Sequence, residues 1–301
     1  MWQAEHVAGL LKSAGLSVDI LPVETSGDKK LEVSLAKIGE KGLFTKELET
    51  LLQEGKAHLA VHSAKDMPSR LPEGLEIIAF TRRENPADVL VSFRSGAKIT
   101  DAGIRIGTSS TRRVAMLRRY APSADSVPVR GNLQTRFRKM QEGACDAMLL
   151  ARAGVVRMGF DSFITEELPS VSFTPAAGQA SLAVEVSQNL PEEIRKAIRD
   201  AVNHFPTENA VCAERSFLHR MEGGCSIPVF ALCESDPKGN YLLNAGIISP
   251  EGDEEIRFQV EIPSADSKNP EAFVLAGQKL AAEVLGDGGA SVLQKIKLHF
   301  D

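Results

Sequence analysis

Short apolar runs and amphipathic stretches alternate along the first two thirds of the chain. Runs with the length and composition of strands lie at 16–22, 59–63, 75–80, 88–93, 105–107, 127–130, 146–151 and 182–186. Between them, apolar residues recur at helical spacing at 3–13, 45–54, 108–120, 131–139, 153–158 and 191–202. Strands that alternate with helices predict βαβ units and a mostly parallel sheet.

The last third of the chain has a different pattern. Thr207 is expected to cap a helix that ends at the glycine pair 223–224. Three strand-like runs follow at 229–233, 241–248 and 255–262, and two helical stretches at 271–285 and 291–298. This order predicts a small α+β unit. Near the other end of the chain, the polar segment 25–42 is expected to form a long loop, and such loops are often functional.

Composition excludes several classes of protein. The 301 residues are 43% hydrophobic and 25% charged, as in ordinary soluble proteins, and carry a net charge of −5, which argues against a general nucleic-acid binder. No apolar run approaches the roughly 20 residues that cross a membrane, and the first residues do not resemble a signal peptide. The four cysteines show no CxxC spacing. We therefore expect no metal and no disulfide framework, but reduced thiols in the cytoplasm.

The segment from 105 to 157 has a charge of its own. It holds ten arginines and one lysine against three acidic residues, a local charge of +8. Arginine in such excess over lysine favours planar, bidentate recognition of carboxylates or phosphates. The alternative is a basic face that is simply solvated.

Three stretches place reactive side chains at the ends of predicted elements. In AVHSAKDMP a buried strand delivers Ser63, Lys65 and Asp66 at its carboxyl end, where open α/β sheets bind ligands; the alternative is a surface ion pair. GTSSTRR at 107–113 and VRGN at 129–132, followed by Arg136, each put arginine near the start of a helix. Two such sites facing one cleft imply a ligand with many carboxylates or several phosphates. No GxxxxGK[ST] or GxGxxG motif is present, so nucleotides are not favoured.

EGGCS at 222–226 presents a cysteine in an open turn. Cys225 follows two glycines, so neighbouring side chains do not shield its sulfur, whereas Cys233 lies in the apolar run VFALC. Cys225 is either an inert loop residue or a reactive thiol with a lowered pKa.

Six ordered stretches, KGLFTKELE, AVHSAKDMP, GTSSTRR, VRGN, AAGQASLAVEV and EGGCSIP, resemble the porphobilinogen deaminase (hydroxymethylbilane synthase) family over nearly the whole chain. The resemblance implies a transferase that joins four porphobilinogen molecules head to tail, releases ammonia and yields hydroxymethylbilane. It also implies a covalently attached dipyrromethane cofactor, which primes the chain, and a monomeric protein without nucleic-acid or membrane partners.

The resemblance implies a role for individual residues. Asp66 matches the catalytic aspartate, whose fixed charge stabilises the cation left when ammonia departs. Cys225 matches the thioether attachment site of the cofactor. Each pyrrole ring carries an acetate and a propionate, so a cleft dense in guanidinium groups is needed. The implied cofactor contacts are Ser63, Lys65, Arg83, Ser109, Arg112, Arg113, Arg130, Arg136 and Arg157. Of these, Arg130, Arg136 and Arg157 also match substrate contacts, and Lys37, Lys41 and Phe44 match a loop over the active site. Arg152 receives no role.

The resemblance further implies an α/β fold of three domains. The first two would resemble type II periplasmic binding proteins, with mixed sheets around a hinged cleft, and the third a small α+β domain. The expected bounds are 1–82 plus 177–200 for domain 1, 87–173 for domain 2 and 205–301 for domain 3. Family members begin with a strand and a TR-x-S-x-L-A-L segment before the WQA found here at 2–4. Either Met1 is a misread start codon of a longer protein, which we favour, or the chain is a truncated, inactive homologue. A non-catalytic anion-binding protein of the same fold is the other alternative.

Overall fold

The computed structural model describes residues 1–23, 45–222 and 227–300. Its helices are α1 (Trp2–Ser13), α2 (Lys46–Gln53), α3 (Thr111–Tyr120), α4 (Leu133–Gln141), α5 (Arg152–Arg157), α6 (Glu192–Val202), α7 (Phe205–Arg220), α8 (Pro270–Val284) and α9 (Ala290–Phe300). Its strands are β1 (Ala60–Ser63), β2 (Leu75–Phe80), β3 (Asp88–Val91), β4 (Arg105–Gly107), β5 (Asp125–Val127), β6 (Ala147–Ala151), β7 (Ile164–Glu167), β8 (Leu182–Ser187), β9 (Val229–Ser235), β10 (Tyr241–Ile248) and β11 (Glu255–Ile262).

The first sheet has the order β1-β8-β2, and both of its pairings are antiparallel. Val184 on the central strand β8 lies opposite Val61, and the apolar face is covered by α1 and α6 through Val7 and Ile198. The prediction of a mostly parallel sheet is therefore wrong here. The reason is that β8 returns from the second sheet and enters between β1 and β2 in the opposite direction, which periodicity along the chain does not reveal.

The second sheet has the order β5-β4-β6-β3-β7, in which β4 pairs parallel to β5 and β6 while β3 is antiparallel to both of its neighbours. Its parallel part has the order of doubly wound folds. Residues of β6 alternate between two cores: Leu149 joins Met116 of α3, whereas Met148 joins Phe137 of α4 on the opposite face. The predicted α/β class with mixed sheets is thus confirmed.

The third sheet, β11-β10-β9, is antiparallel, and α7, α8 and α9 cover one face of it. Helix α7 also touches the first sheet, because Val211 packs with Met67 and Phe80. On the other side, Phe230 and Ile248 belong to the core that α3 shares with the second sheet. The third unit therefore contacts both of the others, while segments 81–87 and 168–181 cross between the first and second sheets.

Most predicted elements are present, and three differ. Residues 16–22 pair with no described strand, although Leu16 and Val18 pack on the first core. The strand predicted at 127–130 is Asp125–Val127, because pairing with β4 ends where the chain turns toward α4. Helix α7 begins at Phe205, so Thr207 is not its cap; its hydroxyl accepts a hydrogen bond from the Arg83 backbone instead. No described helix is long and apolar enough to span a membrane.

Candidate functional site

Asp66 lies at the carboxyl end of β1, as predicted. The strand stops at Ser63 and continues into a single 3₁₀ turn, Ala64–Asp66, before Pro68 prevents a longer helix. This turn buries Ala64, leaves Lys65 half-buried and exposes Asp66. Among the described residues, no hydrogen bond or ion pair holds the Asp66 carboxylate, so its charge is open to a ligand.

Gly178 packs directly against the backbone of this turn. Its φ is +75°, and a Cβ at this position would lie 2.9 Å from the carbonyl carbon of Ala64 and 3.1 Å from the nitrogen of Lys65. Only glycine combines that conformation with so close an approach. The Gly178 N–H also donates to Oε2 of Glu214 at 2.7 Å. The AAGQA stretch therefore positions the segment that carries Asp66.

Lys65 lies between two carboxylates and two arginines. Its Nζ donates to Oε1 of Gln179 at 3.4 Å. Burial lowers the pKa of Lys65, Asp66 and Asp88 oppose this effect, and Arg113 and Arg112 add to it, so that the pKa is about 8. Lys65 is thus a cation at neutral pH that loses its proton at a lower pH than an ordinary lysine.

Arg112 and Arg113 turn inward to a buried carboxylate. Nη2 of Arg112 donates to Oδ2 of Asp88, and Nη2 of Arg113 to Oδ1, both at 2.7 Å. Gln179 donates to the same Oδ1 at 2.8 Å. Burial alone would raise the pKa of Asp88, but the two guanidinium groups and these hydrogen bonds hold it well below its usual range. The arginines predicted to bind an external anion are therefore already engaged, 4% and 6% exposed.

Arg113 nevertheless keeps one unused donor. Its Nη1 donates to the carbonyl of Leu149 at 3.1 Å, but its buried Nε has no hydrogen-bond partner among the described residues. Ser110 caps α3 by accepting from the backbone N–H of Arg113, and Ser109 donates to the carbonyl of Val129 at 3.1 Å. The motif GTSSTRR therefore forms the predicted capped helix, and one buried donor of Arg113 is left without a partner among the described residues.

VRGN turns the chain into α4 with its arginines close together. Asn132 caps α4 by accepting from the N–H of Thr135, and the φ of +117° at Gly131 suits only glycine. Nε of Arg136 donates to the Gly131 carbonyl at 2.7 Å. The pKa of Arg136 is lowered by burial and then by Arg113 and Arg130, whereas Asp66 raises it. Arg136 is therefore near enough to Asp66 to interact with it, which brings the two predicted sites together.

Arg83, which is predicted to contact the cofactor, binds a buried carboxylate of the protein itself. Its Nη1 and Nη2 donate to the two oxygens of Glu214 at 2.6 and 3.0 Å, and its Nε donates to the Gln179 carbonyl at 2.9 Å. Glu214 is fully buried on α7 and also accepts from the backbone N–H groups of Gly178 and Cys233. This carboxylate ties both crossing segments to the third unit.

Arg157, at the end of α5, contacts the first unit. Its Nε donates to Oε1 of Glu84 at 2.8 Å, and its guanidinium carbon lies 4.8 Å from the ring centroid of Trp2. Ser63 accepts a hydrogen bond from Gln3 at 2.8 Å. Arg152 pairs with Glu167 at the surface. Four predicted residues, Lys37, Lys41, Phe44 and Cys225, lie outside the described residues.

Sequence reasoning missed the buried acids. Asp88 opens the apolar strand DVLV, and Glu214 lies between the buried Val211 and Phe217 on α7. A charged residue inside an apolar run is a signal, because such a group is buried only with a partner. The partners themselves are 19 or more residues away in the chain, so the signal did not identify them.

Comparison with known proteins gives a consistent result. A family described as "Porphobilinogen deaminase, dipyromethane cofactor binding domain" matches residues 1–195, and one described as "Porphobilinogen deaminase, C-terminal domain" matches residues 209–286. The chain is 50% identical over 299 residues to a porphobilinogen deaminase of Cytophaga hutchinsonii, covering 99% of this chain and 93% of that protein. It is 47% identical over 300 residues to one of Desulfosudis oleivorans, covering 99% and 94%.

Solved structures with a similar fold are more distant. The periplasmic VFT2 domain of Bordetella pertussis BvgS aligns with a TM-score of 0.40 and 18% identity, covering 66% of this chain and 75% of that one. A TRAP periplasmic solute binding protein from Xanthobacter autotrophicus aligns with a TM-score of 0.39 and 15% identity, covering 67% and 74%.

Proposed function

Because the chain belongs to the porphobilinogen deaminase family, we propose that it is a transferase that joins four porphobilinogen molecules head to tail into hydroxymethylbilane. The observation that carries this proposal within the molecule is the open carboxylate of Asp66, which follows β1 and is near enough to Arg136 of α4 to raise its pKa. An anion-binding protein would need the cations, but it would have no use for an unpaired carboxylate among them.

Asp66 acts as the fixed charge of the reaction. Loss of ammonia leaves positive charge on the substrate pyrrole, and a carboxylate within reach of the pyrrole N–H groups stabilises that charge as it develops. The turn on Gly178 fixes the backbone that carries Asp66 before the substrate arrives, which limits the reorganisation needed during the reaction. The same carboxylate can accept a proton when two rings are coupled.

The surrounding cations fit a cofactor that carries carboxylates. Lys65 and Arg136 lie on the Asp66 side of the site, and each can donate to an acetate or propionate group. Arg113 adds a buried positive charge that acts on both of them. Dipyrromethane, attached through the thioether of Cys225, supplies the primer to which the substrates are added. We assign Ser63, Ser109 and Arg130 to the same site. Arg83 and Arg112 hold buried carboxylates, so their contribution is to shape the site.

The proposed substrate contacts all lie between 130 and 157, and Arg136 among them is also near Asp66. Arg130, Arg136 and Arg157 come from the loop before α4, from α4 and from the end of α5, and each guanidinium can receive a carboxylate. Lys37, Lys41 and Phe44 would lie on the loop over this site. The proposed substrate is porphobilinogen alone, and the protein would act as a monomer in the cytoplasm, where the free thiols of Cys145, Cys212 and Cys233 stay reduced.

The proposed domains are 1–82 plus 177–200, 87–173 and 205–301. Their bounds put both crossings between the first two domains at the edge of the site, which makes these crossings candidate hinges. Glu214 supports this arrangement, because it accepts from Arg83 on one crossing and Gly178 on the other. Closure of domain 1 on domain 2 would then be a rotation about the contacts that both crossings make with α7.

The test is the intact mass of the purified protein beside Cys225→Ser, with Cys212→Ser as the matched control. We expect an increment equal to two linked pyrrole units in the wild type and in Cys212→Ser, and none in Cys225→Ser. An increment that survives in Cys225→Ser would contradict the attachment site. A folded protein without the increment, which also consumes no porphobilinogen, would point to an inactive homologue or a binding protein.

A further inference from the structure

The guanidinium group of Arg157 is fixed by residues that have no assigned role. Its Nε donates to Glu84, which lies on the first crossing, and its central carbon lies over the ring of Trp2, 4.8 Å from the ring centroid. A guanidinium within about 6 Å of an indole centroid is attracted by the negative face of the ring. The side chain is only 12% exposed, although it lies at the end of a surface helix.

Trp2 is itself held in place by the first turn of α1. Its ring stacks on that of His6, one turn further along, with centroids 5.0 Å apart and planes 8° from parallel. The neighbouring Gln3 donates to Ser63 at 2.8 Å, three residues before Asp66. The first turn of α1 therefore contacts both the strand that leads to Asp66 and the arginine at the end of α5.

The remaining edge of Arg157 is free. Among the described residues, neither of its terminal Nη groups makes a hydrogen bond, whereas those of Arg83, Arg112 and Arg113 do. These two Nη groups form the part of the guanidinium that receives a carboxylate in the bidentate geometry. The guanidinium of Arg157 is thus oriented and largely buried: its Nε binds Glu84 and its central carbon lies over Trp2, while its two Nη groups remain available for a carboxylate.

We propose that Trp2 and Glu84 are positioning residues for Arg157, and that the first turn of α1 is therefore part of the machinery that binds a substrate carboxylate. This inference rests on the proposed function, since it takes porphobilinogen as the ligand. A free arginine loses much rotamer freedom when it binds a carboxylate. The ring and Glu84 impose that loss before the substrate arrives, so binding becomes tighter without any new contact to the substrate.

The first measurement uses the fact that Trp2 is the only tryptophan of the chain. Under selective tryptophan excitation of the holoenzyme, the emission reports on this ring alone. We expect Arg157→Met to shift the emission to longer wavelength and to increase quenching by acrylamide, because the ring loses its cover. Arg152→Met is the matched control, since Arg152 is on the same helix and pairs with Glu167. Emission unchanged in Arg157→Met would overturn the proposed contact.

The second measurement is the initial rate against porphobilinogen concentration. We expect Trp2→Leu to raise KM about three- to fivefold with kcat within about twofold, Trp2→Phe to raise it less, and Arg157→Met to raise it more. The double variant Trp2→Leu/Arg157→Met should have the KM of Arg157→Met alone, because the ring acts only through the arginine. A purely structural role of Trp2 would instead give additive effects.

The outcomes separate this inference from the proposed function. If the wild type consumes no porphobilinogen, the proposed function fails and the inference fails with it. If the wild type is active and Arg157→Met raises KM, but Trp2→Leu keeps the wild-type KM or adds to the effect of Arg157→Met, only the inference fails. Thermal unfolding of Trp2→Leu checks that the half-exposed ring is not needed for folding.

Discussion

Asp66 and Asp88 interact with the same lysine, yet the structure treats the two carboxylates in opposite ways. Both act on the pKa of Lys65. Asp88 has no exposed surface and accepts hydrogen bonds from Arg112, Arg113 and Gln179. Asp66 is exposed and has no hydrogen-bond partner among the described residues. The first carboxylate is saturated by the protein, and the second is left for a ligand.

The contrast gives a criterion for interpreting a cluster of arginines. A buried ion pair with complete hydrogen bonding is a structural element, because separating its members would leave an uncompensated charge. Only donors or acceptors that the protein leaves unpaired can be used for binding. By this criterion Asp66 and the Nη groups of Arg157 are available to a ligand, whereas Asp88, Arg112 and most of Arg113 are engaged in holding the fold together.

The largest effect is expected from Asp88→Asn. The amide keeps the volume but leaves two buried guanidinium groups without a counter-charge, so unfolding should require about 3–5 kcal/mol less free energy. Urea unfolding measures this, with Asp101→Asn as control, since Asp101 pairs with Arg94 at the surface. Equal stabilities of the two variants would show that Asp88 does not hold the arginines.

The same variant has a pH signature. The pKa of Asp88 lies below its unfolded value of about 3.9, so its contribution is complete above that pH and is lost as the pH falls further. The stability difference between wild type and Asp88→Asn should therefore be constant near neutral pH and shrink below about pH 4. A difference that persists undiminished in acid would contradict this assignment.

Asp66→Ala should affect activity and not stability. We expect turnover to fall about 10²–10³-fold, equivalent to about 2.7–4 kcal/mol of transition-state stabilisation, because the developing charge loses its counter-ion. The free energy of unfolding should stay within about 0.5 kcal/mol of the wild type, since the side chain is exposed. The intact mass should still include the cofactor. Near-normal turnover would show that Asp66 does not stabilise the charge that develops in the reaction.

Lys65→Met tests the group between the two aspartates. Because the pKa of Lys65 is about 8 in the folded protein, the unfolded chain binds more protons between about pH 8 and 10.5. In that window the wild type should gain stability relative to Lys65→Met as the pH rises, by up to about 3 kcal/mol. Urea unfolding at several pH values measures the difference. A flat difference would mean that Lys65 titrates as in solvent.

The smallest effect is expected from Asp146→Asn. Asp146 pairs with Arg105 at 2.8 Å, as Asp88 pairs with its arginines, but its side chain is 42% exposed. A solvated ion pair contributes about 0–1 kcal/mol, so this variant should unfold close to the wild type. Thermal unfolding is sufficient here. A loss as large as that of Asp88→Asn would show that burial is not what distinguishes the two pairs.

Much of the local structure could be predicted from the pattern of residues. The strand that ends before Asp66, the cap at Ser110 and the turn through Gly131 into α4 all follow from short-range signals. These signals work because capping, turn geometry and side-chain alternation involve residues only a few positions apart. The assignment of Asp66 depended on the same kind of local pattern, together with the resemblance of its motif.

The partners of these local elements could not be predicted in this way. Strand β8 inserts antiparallel between β1 and β2, with Val184 opposite Val61, and Asp88 receives Arg112, Arg113 and Gln179. All of these contacts join residues far apart in the chain, and they depend on how the units pack.

The sequence alone was therefore enough to predict most of the elements, the place of Asp66 directly after β1 and the abundance of arginine. Packing set which arginines are paired inside the protein and which, like Arg157 beside Trp2, keep Nη groups without a partner among the described residues; it also left Asp66 without one. The physical reason is that a charge needs a partner once it loses water, and burial is a property of the packed molecule.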